Sequence, residues 1–205
     1  MIGVLDYGVG NVGAFLRIFH SQNIPAIRVN SSTSFQQVDK MILPGVGAFD
    51  PAIGKLNSSG LRDLLDNFVL NLELPLLGVC IGMHMLGNSS EEGVEKGLSY
   101  IDGVTEKLSG ESLKQNYFLP HMGWNDIRVD TCDPIWDGID LDQGFYFLHS
   151  YCFSPAYSDS CIGVSDYHGE FVCAVKSKNV YGFQFHPEKS LANGIRLLTN
   201  FASTM

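Results

Sequence analysis

The alternation of short apolar runs with helix signals through the first eighty residues is what most restricts how this chain can fold. Residues 2–5, 26–29, 40–43 and 75–80 are apolar runs of strand length, and glycine-rich turns or helical patterns separate them. After the first run come Asp6 and the turn Tyr7-Gly8-Val9-Gly10. Asn11 is then placed to cap a helix whose Val12, Phe15, Leu16 and Phe19 recur at helical spacing. Asp50-Pro51 reads as a cap followed by proline at the first helical position. Between 61 and 72, Leu61, Leu64, Leu65, Phe68, Val69 and Leu72 line one helical face. Strands alternating with helices imply a parallel sheet covered on both faces.

After Gly97 the pattern changes to β-rich runs at 124–129, 144–148, 171–177 and 180–184, parted by turn residues. These are expected to be antiparallel strands added to the parallel sheet or laid beside it. A closing helix is expected over 192–202, with Ile195, Leu198 and Phe201 on one face. No linker or internal repeat interrupts the chain, so residues 1–205 read as one domain.

Composition narrows the partners. With 13 basic against 22 acidic residues the formal net charge is −9. An acidic chain without a basic block is a poor ligand for nucleic acid or an anionic membrane surface. No apolar run reaches the ~18 residues of a membrane span, and the first ten residues lack the basic region of a signal peptide. Cys80, Cys132, Cys152, Cys161 and Cys173 are odd in number and contain no C-x-x-C pair. A disulfide framework or structural zinc site is therefore not expected, and the chain reads as soluble and cytoplasmic.

The chemistry is concentrated in three stretches. Gly78-Val79-Cys80-Ile81-Gly82 has the form of a nucleophile elbow with cysteine as the nucleophile. The glycines relieve crowding around a strained turn, and the start of a helix favours thiolate over thiol. The Ile81 N–H would point to where an oxyanion forms. The rival reading is a buried structural cysteine in a glycine-rich turn. In Gly182-Phe183-Gln184-Phe185-His186-Pro187-Glu188, a histidine follows a strand with a carboxylate two residues on. Such a pair can take a thiol proton and return it to a leaving amine; its bland alternative is a capped strand end. Pro44-Gly45-Val46-Gly47 follows the third strand run and can offer a second oxyanion donor. A phosphate loop is the competitor, but the Walker lysine is missing.

In this order the three stretches resemble the class I (triad) glutamine amidotransferases. Four further stretches resemble, within that class, the glutaminase subunits of imidazole glycerol phosphate synthases. They are Ser89-Ser90-Glu91-Glu92-Gly93, Pro120-His121-Met122-Gly123-Trp124-Asn125, Tyr146-Phe147-Leu148-His149-Ser150-Tyr151 and Lys189-Ser190. The resemblance covers almost the whole chain. It implies a flavodoxin-like three-layer α/β/α fold whose central sheet is mostly parallel.

For function, the resemblance implies that Cys80 attacks the side-chain amide of glutamine, that His186 is general base and acid, and that Glu188 orients it. Backbone N–H groups of Ile81 and of Val46 or Gly47 would form the oxyanion hole. Gly47, His84, His149, Ser150 and Tyr151 would hold the substrate. Pro120, His121, Met122, Gly123, Trp124, Asn125 and Lys189 would face a partner and gate activity. That partner would be a (β/α)₈-barrel synthase forming a heterodimer, receiving ammonia and yielding imidazole glycerol phosphate and AICAR for histidine biosynthesis. No cofactor is implied.

The chain departs from the family pattern at His84, where glutamine is usual. One turn beyond Cys80, that ring would lie near the amino-acid end of the substrate and alter affinity rather than chemistry. A Cys-x₃-His metal pair is the alternative reading, but it has no further ligands nearby. His20 and His168 read as surface residues, and His121 as a residue that positions backbone rather than titrates. Two other functions stay open: the ammonia-supplying subunit of a surface-polysaccharide sugar amidotransferase, and a non-catalytic flavodoxin-like chaperone or binder. His84 and the region 111–117 keep the first of these in view.

Overall fold

The computed structural model describes residues 1–108, 118–129 and 132–203; the 111–117 region lies outside them. In chain order the strands and helices begin with β1 (Ile2–Leu5), α1 (Val12–Ser21), β2 (Ala26–Val29), α2 (Ser32–Phe35) and β3 (Lys40–Gly45). Next are α3 (Phe49–Ser58), α4 (Arg62–Asp66), β4 (Leu76–Cys80), α5 (Ile81–Met85), β5 (Ser89–Ser90) and β6 (Gly103–Lys107). β7 (His121–Asn125), β8 (Ile127–Val129), β9 (Phe145–His149) and β10 (Tyr151–Pro155) follow. The described chain ends with β11 (Cys161–Asp166), β12 (Glu170–Ser177), β13 (Val180–Phe183) and α6 (Leu191–Ser203).

The main sheet has eight strands in the order β2-β1-β3-β4-β13-β12-β11-β8. From β2 to β13 the neighbours are parallel; from β13 to β8 they are antiparallel. The α/β expectation with added antiparallel strands therefore holds. All five residues of β4 are buried, as a central strand covered on both faces requires. β10, β6 and β5 form a second sheet, and β7 pairs with β9 in a third.

Helix starts are set by local chemistry in some cases and by distant residues in others. Asn11 caps α1 by accepting the N–H of Ala14 at 3.1 Å. The expected cap at Asp50 is a correction: α3 begins at Phe49 after Ala48, which supplies no side-chain cap. Glu92 takes that role instead, its Oε2 accepting the Phe49 N–H at 3.0 Å. Asp50 accepts the N–H groups of Val94 and Glu95, tying the start of α3 to the loop after β5.

The periodic segment 61–72 is a helix that changes pitch midway. α4 runs on into a π-helical turn at Asn67–Asn71. The wider turn shifts the register, so Leu65, Phe68 and Val69 are buried while Leu72, expected on the same face, is 58% exposed. The apolar run 124–129 is likewise divided: β7 joins β9, whereas β8 joins the edge of the main sheet. β5, β6, β10 and β11 carry no sequence signal strong enough to be expected.

Candidate active site

Cys80 ends β4 with φ +55° and ψ −113°, a conformation that is costly for a residue with a side chain. Its neighbours show why the elbow needs glycine. A Cβ on Gly82 would collide with the carbonyl oxygen of Leu43, and one on Gly78 would lie 2.6 Å from the Gly82 oxygen. Gly45 packs against the backbone of Ile81 and Gly82, and it is the register partner of Cys80 across β3 and β4. The Pro44–Gly47 turn thus leaves its strand beside the elbow. Tyr7 anchors it, donating its hydroxyl to the Pro44 carbonyl at 2.7 Å. Gly47 has φ +91° and open space around its Cα. Val46 is exposed.

His186 arrives from the other side of β4. β13 pairs in parallel with β4, Phe183 opposite Val79, and the chain reaches His186 just beyond the strand end. The ring Nδ1 lies 2.8 Å from Glu188 Oε1, with both side chains almost fully buried. The backbone around the ring is held as firmly. The His186 N–H donates to the Tyr146 carbonyl at 2.8 Å, and Ser190 Oγ donates to the His186 carbonyl at 2.7 Å. Burial alone would push the imidazole down; hydrogen bonding with Cys80 and Glu188, and the charges of both, raise it to about 10. A cation on His186 is what a neighbouring thiolate would need. Cys80 Sγ also lies 3.8 Å from the Leu148 carbonyl.

A cavity of about 300 Å³ opens over these groups. Gly47, His84, His149, Ser150 and Tyr151, the five residues expected at substrate, all line it, as do Val46, Ile81, Cys80 and His186. Pro120 and Lys189, expected at the partner face, also border it. Met122 and Trp124 do not; they project outward from β7, 66% and 48% exposed. His121, on the same strand, points inward and is buried. Exposure of Trp124 fits a surface anchor better than a core residue, while His20 and His168 are at the surface as expected.

Three contributors were not singled out in the sequence. Glu92 lines the cavity, its carboxyl pushed up mainly by burial against the opposing bond from Phe49. The Leu148 carbonyl faces the thiol. Gln184 Oε1 lies 2.7 Å from His84 Nε2, in a bond that leaves His84 Nδ1 and Gln184 Nε2 without a protein partner. Burial pushes His84 down to about 4, with the Gln184 bond opposing, so the ring is neutral at neutral pH. The Phe-Gln-Phe alternation before His186 was a usable signal for Gln184, since a polar residue between two buried phenylalanines needs a buried partner.

A thiol on a strained strand end, a histidine oriented by a carboxylate and a cavity opening over both form the kind of arrangement that a cysteine-dependent amidohydrolase uses. The model of the family "Glutamine amidotransferase class-I" matches residues 4–205. The chain is 42% identical to the imidazole glycerol phosphate synthase subunit HisH of Bdellovibrio bacteriovorus, over 98% of this chain and 99% of that one. It is 41% identical to the HisH subunit of Leptospira borgpetersenii, over 99% and 100% of the two chains. Among solved structures, one described as a glutamine amidotransferase superposes with a TM-score of 0.72 at 18% identity, covering 99% of each chain. The chain belongs to the class-I glutamine amidotransferase family.

Proposed function

We propose that this chain hydrolyses the side-chain amide of glutamine and passes the ammonia to a synthase partner that builds imidazole glycerol phosphate and AICAR in histidine biosynthesis. The observation that carries the reading is the placement of Cys80, His186 and the Gly45–Gly47 turn at the ends of three neighbouring strands around one cavity. Ligands of open parallel sheets sit at this edge. The HisH names of the relatives support this synthase over a sugar amidotransferase.

The sulfur of Cys80 attacks the amide carbon, and the negative charge gathers on the amide oxygen. N–H groups of Ile81 and of Val46 or Gly47 receive that charge. Protonated His186, held by Glu188, gives its proton to the leaving nitrogen, and the C–N bond breaks to release ammonia and leave a thioester. His186, now neutral, takes a proton from water as the water oxygen attacks the thioester. The C–S bond breaks, the thiolate–imidazolium pair is restored, and the product leaves as glutamate once its new carboxyl gives its proton to solvent. His84, His149, Ser150 and Tyr151 hold the amino-acid end of the substrate, with Glu92 as a carboxylate for its ammonium. Met122 and Trp124 belong to the face that docks a (β/α)₈-barrel partner in the cytoplasm, with Pro120 and Lys189 between that face and the cavity.

The test is Cys80→Ala. Glutamine-dependent turnover should be abolished while the complex still uses added ammonium, because the nucleophile acts only in making ammonia. Glutamine hydrolysis at the wild-type rate would make Cys80 a structural residue and end this reading.

A further inference from the structure

Strand β7 has an outward face, carrying Met122 and Trp124, and an inward end at His121. The inward end meets the cavity wall through the β7–β9 ladder, through Pro120 beside it in the chain, and through one side-chain hydrogen bond. His121 and His149 are directly opposed in the β7–β9 register, and His121 Nδ1 lies 2.9 Å from His149 Nε2. The positions of the protons follow from the partners. His149 Nδ1 lies 2.9 Å from the Tyr151 carbonyl, which can only accept, so Nδ1 carries the hydrogen. In the neutral ring, Nε2 is then an acceptor, and His121 must donate to it from Nδ1. This leaves His121 Nε2 as an acceptor, and Asn125 Nδ2 lies 3.3 Å away.

The Asn125 amide is oriented independently, since Nδ2 also donates to the Asp166 carbonyl at 2.8 Å and Oδ1 accepts the Asp126 N–H at 2.9 Å. The chain therefore has one direction, Asn125 to His121 to His149 to the Tyr151 carbonyl, pinned at both ends by backbone. Both rings are neutral at neutral pH: burial pushes His121 down to about 4, and burial pushes His149 to about 3 against the bond to Tyr151. The His121 ring is clamped as well, stacked at 4.9 Å on Phe147 and at 4.1 Å on Tyr167.

The end of this chain is the corner between β9 and β10. That corner carries the Leu148 carbonyl facing Cys80 and the cavity-lining Ser150 and Tyr151. We propose that His121 is a positioning residue for the substrate cavity: by donating to His149 it sets the tautomer of that ring and holds the β9–β10 corner in register with Cys80. It acts through His149 and does not touch substrate. The assignment rests on the cavity being the glutamine site. A shift of β7, whose outward side chains are free to bear on a partner, reaches the cavity through this bond as well as through the β7–β9 ladder and Pro120.

The experiment uses the full chain with ¹⁵N-labelled histidine, and steady-state glutaminase assays of the same preparations with the synthase partner. In the wild type, His149 should be protonated at Nδ1 and bare at Nε2, with His121 protonated at Nδ1. His121→Phe keeps a ring between Phe147 and Tyr167 but has no donor. It should raise KM for glutamine about tenfold, the size of one lost hydrogen bond, with a smaller change in kcat. His121→Asn returns an N–H near the position of Nδ1 and should recover most of the KM. A wild-type His149 protonated at Nε2 would overturn the proposal, as would a wild-type KM in His121→Phe or equal KM losses in both variants. If His121→Phe fails to fold, the wild-type nitrogen shifts and the His121→Asn KM decide by the same criteria. No ammonia from glutamine in the wild type would instead remove the glutaminase reading, and the nitrogen shifts would still report on the relay.

Discussion

Gly45 and Cys80 are partners across the parallel pair β3–β4, so the Pro44–Gly47 turn and the Cys80 elbow leave adjacent strands at the same level of the sheet. A side chain on either flanking glycine, Gly45 or Gly82, would drive these two strand ends apart.

Gly82→Ala should destabilise the protein by roughly 1–3 kcal/mol or more, because the added methyl meets the rigid Leu43 carbonyl rather than a movable side chain. Gly47→Ala meets open space and bears only the strain of its φ of +91°, roughly 1–2 kcal/mol. Denaturant midpoints of the two variants give the comparison. A larger loss at Gly47 would contradict this account of the elbow.

His186→Ala combined with Cys80→Ala should lower glutaminase activity about as much as either change alone, since base and nucleophile serve one step. Rates of the two single variants and the double variant, measured at saturating glutamine, form the test. Losses that add in log rate would show that the two residues act in separate steps.

Acid should unfold this protein through its neutral histidines. Burial holds His84, His121 and His149 at about 4, 4 and 3, against 6.5 for an unfolded histidine. Their folded values are depressed cations' values, so the stability they contribute is present above pH 6.5 and is lost as pH falls towards 4. Near pH 5 unfolding should take up roughly three protons at these rings, partly offset by Glu92, whose raised carboxyl binds a proton in the native state. His186 has the opposite sign: raised to about 10, its contribution is full below pH 6.5 and is lost as pH rises through 10. Stability measured by denaturant titration from pH 7 to 5 should fall; an unchanged value would refute the neutral assignment of the three rings.

The isolated chain should be a poor glutaminase that the synthase partner, loaded with its own substrate, accelerates strongly. Gly47 is the point of freedom, with positive φ and open space where a side chain would stand, whereas Gly45 is locked in β3 against Gly82. A peptide rotation there would add one oxyanion donor, worth ~10²–10³ in rate. Steady-state rates of the chain alone, the complex and the complex with acceptor analogue should rise in that order, and three equal rates would refute gating. Trp124→Ala should weaken assembly or blunt activation while leaving the isolated chain folded, because the indole is half exposed and touches Tyr146 edge-on at 6.4 Å.

The parallel core, the elbow and the His-Pro-Glu corner were legible in the sequence because each is governed by local rules. Apolar period separates strand from helix, and Gly78 and Gly82 flank a residue whose backbone no bulkier neighbours would permit. Capping follows the same logic where the partner is close in sequence, as with Asn11 and Ala14, and fails where it is distant, as with Glu92 and Phe49. Strand register, by contrast, is a long-range choice. Nothing local to 180–183 requires that strand to lie beside β4, yet that pairing is what brings His186 to Cys80. The same holds for the opposition of His121 and His149 across β7 and β9, and for the bond between His84 and Gln184. The π-helical turn at Asn67–Asn71 is likewise a product of packing, since the apolar spacing of 61–72 alone would continue the α-helix. The sequence by itself therefore determined which side chains the proposed chemistry has available and which local turns carry them. Tertiary structure decided which of them meet, because hydrogen-bonded register between distant strands sets those distances and no local propensity does.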